Sequence, residues 1–432
     1  MTFKSLKKKI NSKKINVGIV GLGYVGLPLA ILLAKKGVNV YGFDINKKKI
    51  KMLQNQKSYI ERINNFDIKI LSKKSEVSHS FENISKCDVI LICVPTPLKN
   101  NNQPDLSCIK KTFSLIKNFL CEDQILILES TSYPGTTREE FVNNLNKKFK
   151  LGNNFFIGFS SERINPGSNE NSIHNVPKVV GGFSSNCSIL VSAFYNLFFQ
   201  KVVKAKSLEA AEFSKLLENI YRSVNIGFIN EMKFIADKMG LDIFEIIRLA
   251  KTKPYGFIAY NPGPAIGGHC IPIDPHYLYW KAKKIGITSN FIKIASQTNS
   301  KVTNFIESKI LKSLKEKNIK INKAKILILG MAYKKNIDDM RESGSVILLK
   351  KLLKKNIKNI YWADPHIKKI QFYNKTISNN KINITSKILP SFDIVILMTD
   401  HKNFNYSMIE RYSKFIIDCR GKFSLSSKII RA

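Results

Sequence analysis

The segment Gly267-Gly268-His269-Cys270-Ile271-Pro272-Ile273-Asp274-Pro275 sets a thiol between a glycine pair and a carboxylate one helical turn further on. These residue types suit nucleophilic attack on a carbonyl. Adjacent glycines let backbone approach a substrate and aim N–H groups at it, and a nearby hydrogen-bonding partner poises the thiol. The plainer reading, an inert cysteine packed beside a turn, stays open on this motif alone. His269, Cys270, Asp274 and His276 can also be written as metal ligands. A short proline-containing loop is poor tetrahedral geometry, however, and no complementary ligand pair appears elsewhere, so no metal is expected.

A second constellation stands near the start. Ile15–Val20 reads as a buried strand, runs into Gly21-Leu22-Gly23-Tyr24-Val25-Gly26, and continues as an apolar helix from Leu27 to Lys36. Gly21 permits the turn, Gly23 lets a pyrophosphate sit at the helix N-terminus, and Gly26 lets the helix pack closely on the strand. Tyr24 and Val25 lie inside this loop and join the expected cofactor contacts. The next strand, Val38–Phe43, ends at Asp44, about 20 residues on, where an acid hydrogen-bonds the adenosine ribose and repels a 2′-phosphate. The cofactor expected is NAD rather than NADP.

The elements that must position these groups follow from patterning. Strands alternate with amphipathic segments from Ile15 to about Lys204, as in a parallel sheet with helices on both faces. Val89–Val94 ends at Pro95-Thr96-Pro97, Ile125–Leu128 at Glu129-Ser130-Thr131, and Phe155–Phe159 at Ser160-Ser161-Glu162-Arg163-Ile164-Asn165-Pro166-Gly167. Open α/β sheets bind ligands at that carboxyl edge, so Pro95, Thr96 and Thr131 join the cofactor set. Ser207 caps a helix expected to reach Met239, with Lys215, Asn219 and Arg222 along one face. After a lysine-rich linker at Lys312–Lys325, a second sheet is expected from strands at Ile326–Gly330, Ile360–Asp364, Phe392–Met398 and Phe415–Asp418. It lacks the glycine fingerprint.

The 432 residues suffice for several cores. The expected fold is α/β: two Rossmann-like doubly wound domains joined by a long central helix. Its divisions are a basic tail at 1–14, an NAD-binding domain at 15–205, a central helical domain with the cysteine loop at 206–310, and a second Rossmann-like domain at 311–432 suited to a nucleotide-like ligand other than NAD. Seven scattered cysteines form no CxxC pair, which argues against a disulfide framework and fits a reducing cytoplasm. No segment has the apolar length of a membrane span, so no membrane insertion is expected. The net charge of +38 raises the question of nucleic acid. The lysines, however, are spread through every segment rather than gathered on one element, so no nucleic-acid partner is expected.

In order and spacing these motifs resemble the UDP-glucose/GDP-mannose dehydrogenase family, from Ile15 to Gly421. The resemblance implies oxidation of the C6 hydroxyl of a nucleotide sugar to a carboxylate with two successive NAD⁺ reductions, and a homodimer paired through the central helix. It makes the division at 206–310 the dimerisation domain and the one at 311–432 the UDP-sugar-binding domain. It implies that Cys270 captures the intermediate aldehyde, that Lys215 and Asn219 stabilise the oxyanion, and that Asp274 assists proton transfer. Thr131 and Glu162 then position the hydrolytic water, with Glu162 as its base. Some members carry a second glutamate four positions after the first, where this chain has Pro166. Arg163, Phe257, Gly267 and Gly268 join the implied substrate contacts. The run Lys334–Ser343 resembles the family's loop after the first strand of the uridylyl domain, with Lys334 and Arg341 toward the diphosphate and Arg420 as a late anion contact. Asp338 and Asp339 would hold those cations. Lys251–Phe257 together with the cysteine motif looks like the branch acting on UDP-N-acetylglucosamine for surface polysaccharide synthesis; branches acting on UDP-glucose or UDP-N-acetylmannosamine are the alternatives. A non-catalytic NAD-binding scaffold would have lost some of Cys270, Lys215, Asn219, Asp274 and Glu162, and all five are present.

Overall fold

The computed structural model describes residues 3–60, 63–163, 175–268, 270–372, 375–376 and 380–432. The expected positions Ile164 to Gly167, and His269, lie outside the described residues. The chain forms two compact units, one of Met1–Glu218 with His276–Gly286 and one of Asn219–Pro275 with Ile287–Ala432. Of the expected central division, residues 206–218 and 276–286 fall in the first unit and residues 219–275 and 287–310 in the second.

The first unit carries a sheet of eight strands: β1 (Asn16–Val20), β2 (Asn39–Phe43), β3 (Ser75–Ser78), β4 (Val89–Ile92), β5 (Gln124–Leu128), β6 (Phe155–Phe159), β7 (Lys178–Gly182) and β8 (Val202–Lys204). Their order is β3-β2-β1-β4-β5-β6-β7-β8. All pairs are parallel except β6 with β7. The order reverses between β1 and β4, the switch point at which such sheets bind ligands. The second unit's strands are β9 (Lys325–Leu329), β10 (Asn359–Ala363), the short antiparallel pair β11 (Gln371–Phe372) and β12 (Lys375–Thr376), β13 (Ile394–Leu397), β14 (Ile416–Asp418) and β15 (Ile429–Arg431). The main sheet runs β10-β9-β13-β14-β15, all parallel, and its order reverses between β9 and β13.

In chain order the helices are α1 (Phe3–Asn11), α2 (Gly26–Lys35), α3 (Lys47–Gln54), α4 (Asn65–Lys73), α5 (Ser107–Ile116), α6 (Thr136–Glu140), α7 (Ser185–Asn196), α8 (Leu208–Lys238), α9 (Ile243–Ala250), α10 (Asp274–Lys284), α11 (Asn290–Glu316), α12 (Gly344–Lys354) and α13 (Tyr406–Tyr412). Strand β9 shows why its sheet needs helices on both faces. Ile326 and Ile328 enter one buried cluster, Leu327 and Leu329 another, because successive side chains of a strand point to opposite sides. Helix α2 is buried almost all round, which fits its apolar sequence.

Two expectations are corrected. The stretch read as a basic tail forms α1. Leu6 and Ile10, four residues apart, are fully buried in the first unit's core, and the Lys9 ammonium pairs with Asp88 at 2.5 Å. The lysine-rich linker begins later than expected. Ile306, Ile310 and Leu314 continue a buried seam at helical spacing, so α11 holds to Glu316. No described helix is long and apolar enough to cross a membrane.

Candidate active site

In the first unit the glycine loop follows β1 at the switch point. Gly21 has φ +95°, and a Cβ there would lie 2.7 Å from the Cys93 carbonyl oxygen; a Cβ on Gly26 would lie 2.0 Å from the Gly21 oxygen. Packing within the chain thus requires both. Gly23 differs, because a Cβ there would meet no protein atom within 4 Å. Nothing in the chain explains that glycine, whereas a pyrophosphate seated at the start of α2 does. Asp44, at the end of β2, accepts from the backbone N–H of Leu22 at 3.1 Å and of Asn46 at 2.9 Å, and its carboxylate lies 3.3 Å from the Lys49 ammonium. These residues fit NAD. Thr96 is buried beyond β4 beside Pro95, and Ser130, next to Thr131, donates its hydroxyl to the Val94 carbonyl at 2.6 Å. The ends of β4 and β5 are thereby tied together.

Glu162 sits just past β6 and accepts from the N–H of Arg163 at 2.7 Å. Arg163, expected at the substrate, makes three hydrogen bonds within the first unit. Its Nε and Nη2 donate to Glu218 at 3.2 and 2.5 Å and its Nη1 to the Pro177 carbonyl at 2.6 Å, so it braces the Glu162 segment. Sequence reading passed over Lys178. This buried ammonium donates to Glu129 at 2.9 Å and to the Ser161 carbonyl at 3.2 Å, while the Tyr195 hydroxyl also donates to Glu129. A buried ion pair under Ser161 holds the backbone that presents Glu162; its two charges meet only in the fold. Lys215 is buried on α8. One turn earlier Glu212, fully buried, accepts from Gly135 N at 2.5 Å and from Thr137 N and Oγ1 at 2.8 and 2.7 Å. Burial pushes the Glu212 carboxyl up to about 7.

The second unit carries the thiol. Cys270 is exposed just before α10, and its carbonyl accepts from the N–H groups of Ile273 and Asp274 at 3.0 and 2.8 Å. Cys87, Cys93, Cys187 and Cys419 are buried, and burial pushes the Cys419 thiol up to about 12. Asp274 is buried, and the Asn219 side-chain amide donates to its carboxylate at 2.5 Å. On the helix face read as carrying Lys215, Asn219 and Arg222, the first two are thus buried and Arg222 is exposed. The glycine pair lies directly against Tyr333. A Cβ on Gly267 would lie 2.3 Å from the Tyr333 Cβ, one on Gly268 would lie 2.9 Å from the Tyr333 ring, and the Gly268 N–H donates to the Arg341 carbonyl at 2.9 Å. The close approach is to the loop after β9. Upstream, the Gly263 N–H donates to Asn230 at 3.2 Å, Asn230 to Asn299 at 2.9 Å, and Asn299 to the Ser223 carbonyl at 3.1 Å. This buried amide ladder fixes the Pro/Gly loop. Phe257 lies between α9 and that loop, half-buried.

The loop after β9 groups cations. Burial, together with Arg222 and Lys335, holds the Lys334 ammonium below the ordinary lysine range. Arg341 is forked onto Asp339 through Nε at 3.0 Å and Nη2 at 2.7 Å, the holding role expected of that aspartate. Arg420 donates its Nε to the Met398 carbonyl at 2.7 Å and lies 4.0 Å from Asp400. Lys233, buried on α8, has no hydrogen-bond partner for its ammonium among the described residues. It lies 5.2 Å from the Phe305 ring centre, and burial pushes it down to about 8.

Three family models cover the chain in order: the NAD binding domain of the UDP-glucose/GDP-mannose dehydrogenase family over residues 15–199, its central domain over 209–301 and its UDP binding domain over 327–424. The UDP-N-acetyl-D-glucosamine 6-dehydrogenase of Pseudomonas aeruginosa is 34% identical over 90% of this chain and 91% of its own length. The chain belongs to this family. The UDP-N-acetyl-D-mannosamine dehydrogenase of Pyrococcus horikoshii is 30% identical over 91% of this chain and 93% of its own length. A solved UDP-D-ManNAc dehydrogenase structure from that organism superposes with a TM-score of 0.84 at 29% identity, covering 96% and 98% of the two chains. Membership in the UDP-glucose/GDP-mannose dehydrogenase family makes the protein an NAD-dependent nucleotide-sugar dehydrogenase.

Proposed function

We propose that the enzyme oxidises C6 of UDP-N-acetylglucosamine to the carboxylate through a covalent thioester on Cys270. The observation that carries this reading is exposed Cys270, whose carbonyl accepts from the N–H of Asp274, the buried carboxylate that Asn219 holds. NAD, when bound, accepts a hydride from C6 in each of two oxidations. Lys215 and Asn219 stabilise the alkoxide that forms as the hydroxyl loses its proton. The Cys270 sulfur adds to the resulting aldehyde and its proton passes to the aldehyde oxygen, giving a thiohemiacetal whose C–H and O–H repeat those of the original alcohol. Its oxidation leaves a thioester. Glu162 takes a proton from water, with Thr131 orienting it, and the hydroxide expels the Cys270 thiolate to give the acid. Asp274, anchored by Asn219, handles the proton at sulfur.

The choice of sugar is supported by the P. aeruginosa relative and by the Lys251–Phe257 run. A homodimer is supported by exposed Phe213, Leu217, Tyr221, Phe228 and Ile235, spaced at fours and sevens along α8. A cytoplasmic location is supported by NAD use and by the absence of a disulfide among the described cysteines. The test follows NADH formation against UDP-N-acetylglucosamine, UDP-N-acetylmannosamine and UDP-glucose. The first should give the highest kcat/KM, two NADH per sugar and a C6 carboxylate by mass spectrometry; a higher value for either of the others reassigns the sugar. Cys270→Ser should still bind UDP and NAD but lose acid formation by on the order of 10³-fold or more. Wild-type acid formation by that variant would return Cys270 to its plain packing role.

A further inference from the structure

We infer that His401 is a positioning residue for the nucleotide diphosphate, acting through the backbone of the Lys334–Arg341 loop. The inference rests on the reading that this loop grips the diphosphate. His401 follows β13 and the loop follows β9, so the two meet at the reversal of strand order in the second unit's sheet. The imidazole is fully buried. Its Nδ1 accepts from the backbone N–H of Asn336 at 3.0 Å, across 65 residues of chain. A ring nitrogen that accepts carries no proton, so the hydrogen lies on Nε2, and Nε2 donates to Asp364 at 3.0 Å. Asp364 is itself fixed by the N–H groups of Met331, Ala332, His366 and Ile367 at 2.6, 2.9, 2.8 and 3.0 Å. One tautomer is thereby selected, and the acceptor it leaves is aimed at the loop.

Asn336 needs this support. Its φ of +60° lies in the left-handed region, and its side chain accepts from the Lys402 N–H at 3.0 Å, so the loop is pinned to residues 401 and 402 at two points. Lys334 stands two residues before the pinned position. Five residues after it stands Arg341, whose carbonyl accepts from Gly268 beside the cysteine loop. Displacing Asn336 therefore shifts the cation that meets phosphate oxygens, while the glycine loop after β1, with its own strands, is left alone.

Two substitutions separate the ring's two bonds. His401→Asn keeps an acceptor near the Nδ1 position and gives up Asp364; His401→Gln keeps a donor near Nε2 and gives up Asn336. The measurements are UDP affinity by calorimetry, KM for UDP-sugar and for NAD, and kcat, with Lys334→Ala alongside. His401→Gln should weaken UDP and raise the sugar KM by about 10-fold while the NAD KM holds, and His401→Asn should stay within about 3-fold of the parent. Equal effects of the two substitutions, or none, overturn the inference provided Lys334→Ala weakens UDP. If Lys334→Ala leaves UDP affinity unchanged, the diphosphate reading falls and the inference with it. Should His401→Gln fail to fold, amide exchange at Asn336 in the unaltered enzyme decides: the N–H must be protected, and exchange at the rate of an exposed loop overturns the inference.

Discussion

The two parallel sheets begin alike and diverge within four residues. After β1 the chain reads Gly21-Leu22-Gly23-Tyr24; after β9 it reads Gly330-Met331-Ala332-Tyr333. Both leading glycines take positive φ, +95° and +84°. Both next strands end in an aspartate that reaches back to the turn, Asp44 to Leu22 and Asp364 to Met331 and Ala332. The first turn then opens a space at Gly23 and enters its helix at Gly26. The second fills that position with buried Ala332, whose carbonyl accepts from the Thr399 hydroxyl at 2.7 Å, covers its aspartate with His401, and delays its helix to Gly344. One scaffold thus yields an open backbone turn in one unit and a side-chain loop in the other, and the aspartate that reaches back to the turn is left beside Lys49 in the first and is covered by His401 in the second.

The largest expected effect comes from closing the cradle. Gly23→Val adds carbons where the chain has none to clash with, so folding and UDP affinity should hold while the NAD KM rises by about 10² or more, some 3 kcal/mol. Retained NAD affinity would show that the space at Gly23 is not the pyrophosphate's.

The comparison extends to α8, which buries Glu212 in the first unit and Lys233 in the second, and the two should tilt stability in opposite senses. Glu212 titrates near 7 in the fold and in the ordinary carboxylate range when unfolded, so between roughly pH 4.5 and 7 the native state holds the extra proton. Stability should then fall by about 3 kcal/mol as pH rises through that window. Lys233 titrates near 8 against an ordinary value above 10. Between those values the unfolded chain holds the extra proton, so stability should rise with pH by a similar ~3 kcal/mol. Denaturant midpoints of the parent minus those of Glu212→Gln, and of Lys233→Met, read each slope separately; parallel curves would remove the group from the pH response.

The smallest effect is at Asp44. Asp44→Ala should cut the preference for NAD over NADP by about 10-fold in kcat/KM, because the Lys49 ammonium 3.3 Å from the lost carboxylate is then left to meet a 2′-phosphate. An unchanged ratio would place the ribose elsewhere.

What was legible in the sequence is what short-range spacing encodes. The turn at Gly21–Gly26, the strand ends at Asp44 and Asp364, and the long helix expected at 207–239 and found at Leu208–Lys238 all follow from periods of two, of 3.6 and of a glycine turn. The partners of the reactive groups were not legible, because they lie far apart in the chain: Tyr333 under Gly268, Lys178 against Glu129, His401 on Asn336. Each involves an ordinary residue type whose meaning comes from one tertiary contact. The Gly267–Gly268 pair is the instructive case. Its composition announced a close approach correctly, but composition cannot name what approaches. Charge also misled locally, since the lysines around Leu6 and Ile10 masked an apolar pair one turn apart.

That last feature bears on how the enzyme can be handled. An expression design that trims the chain to Ile15, where the first strand pattern begins, would look harmless and would take Leu6 and Ile10 out of the first unit's core. Each such side chain contributes roughly 1.5–3 kcal/mol of burial, and the core surface they cover would be left open to water. Purification tags fused ahead of residue 3 must therefore leave the nine-residue amphipathic helix α1 intact, and the first sign of trespass would be aggregation rather than loss of any catalytic group.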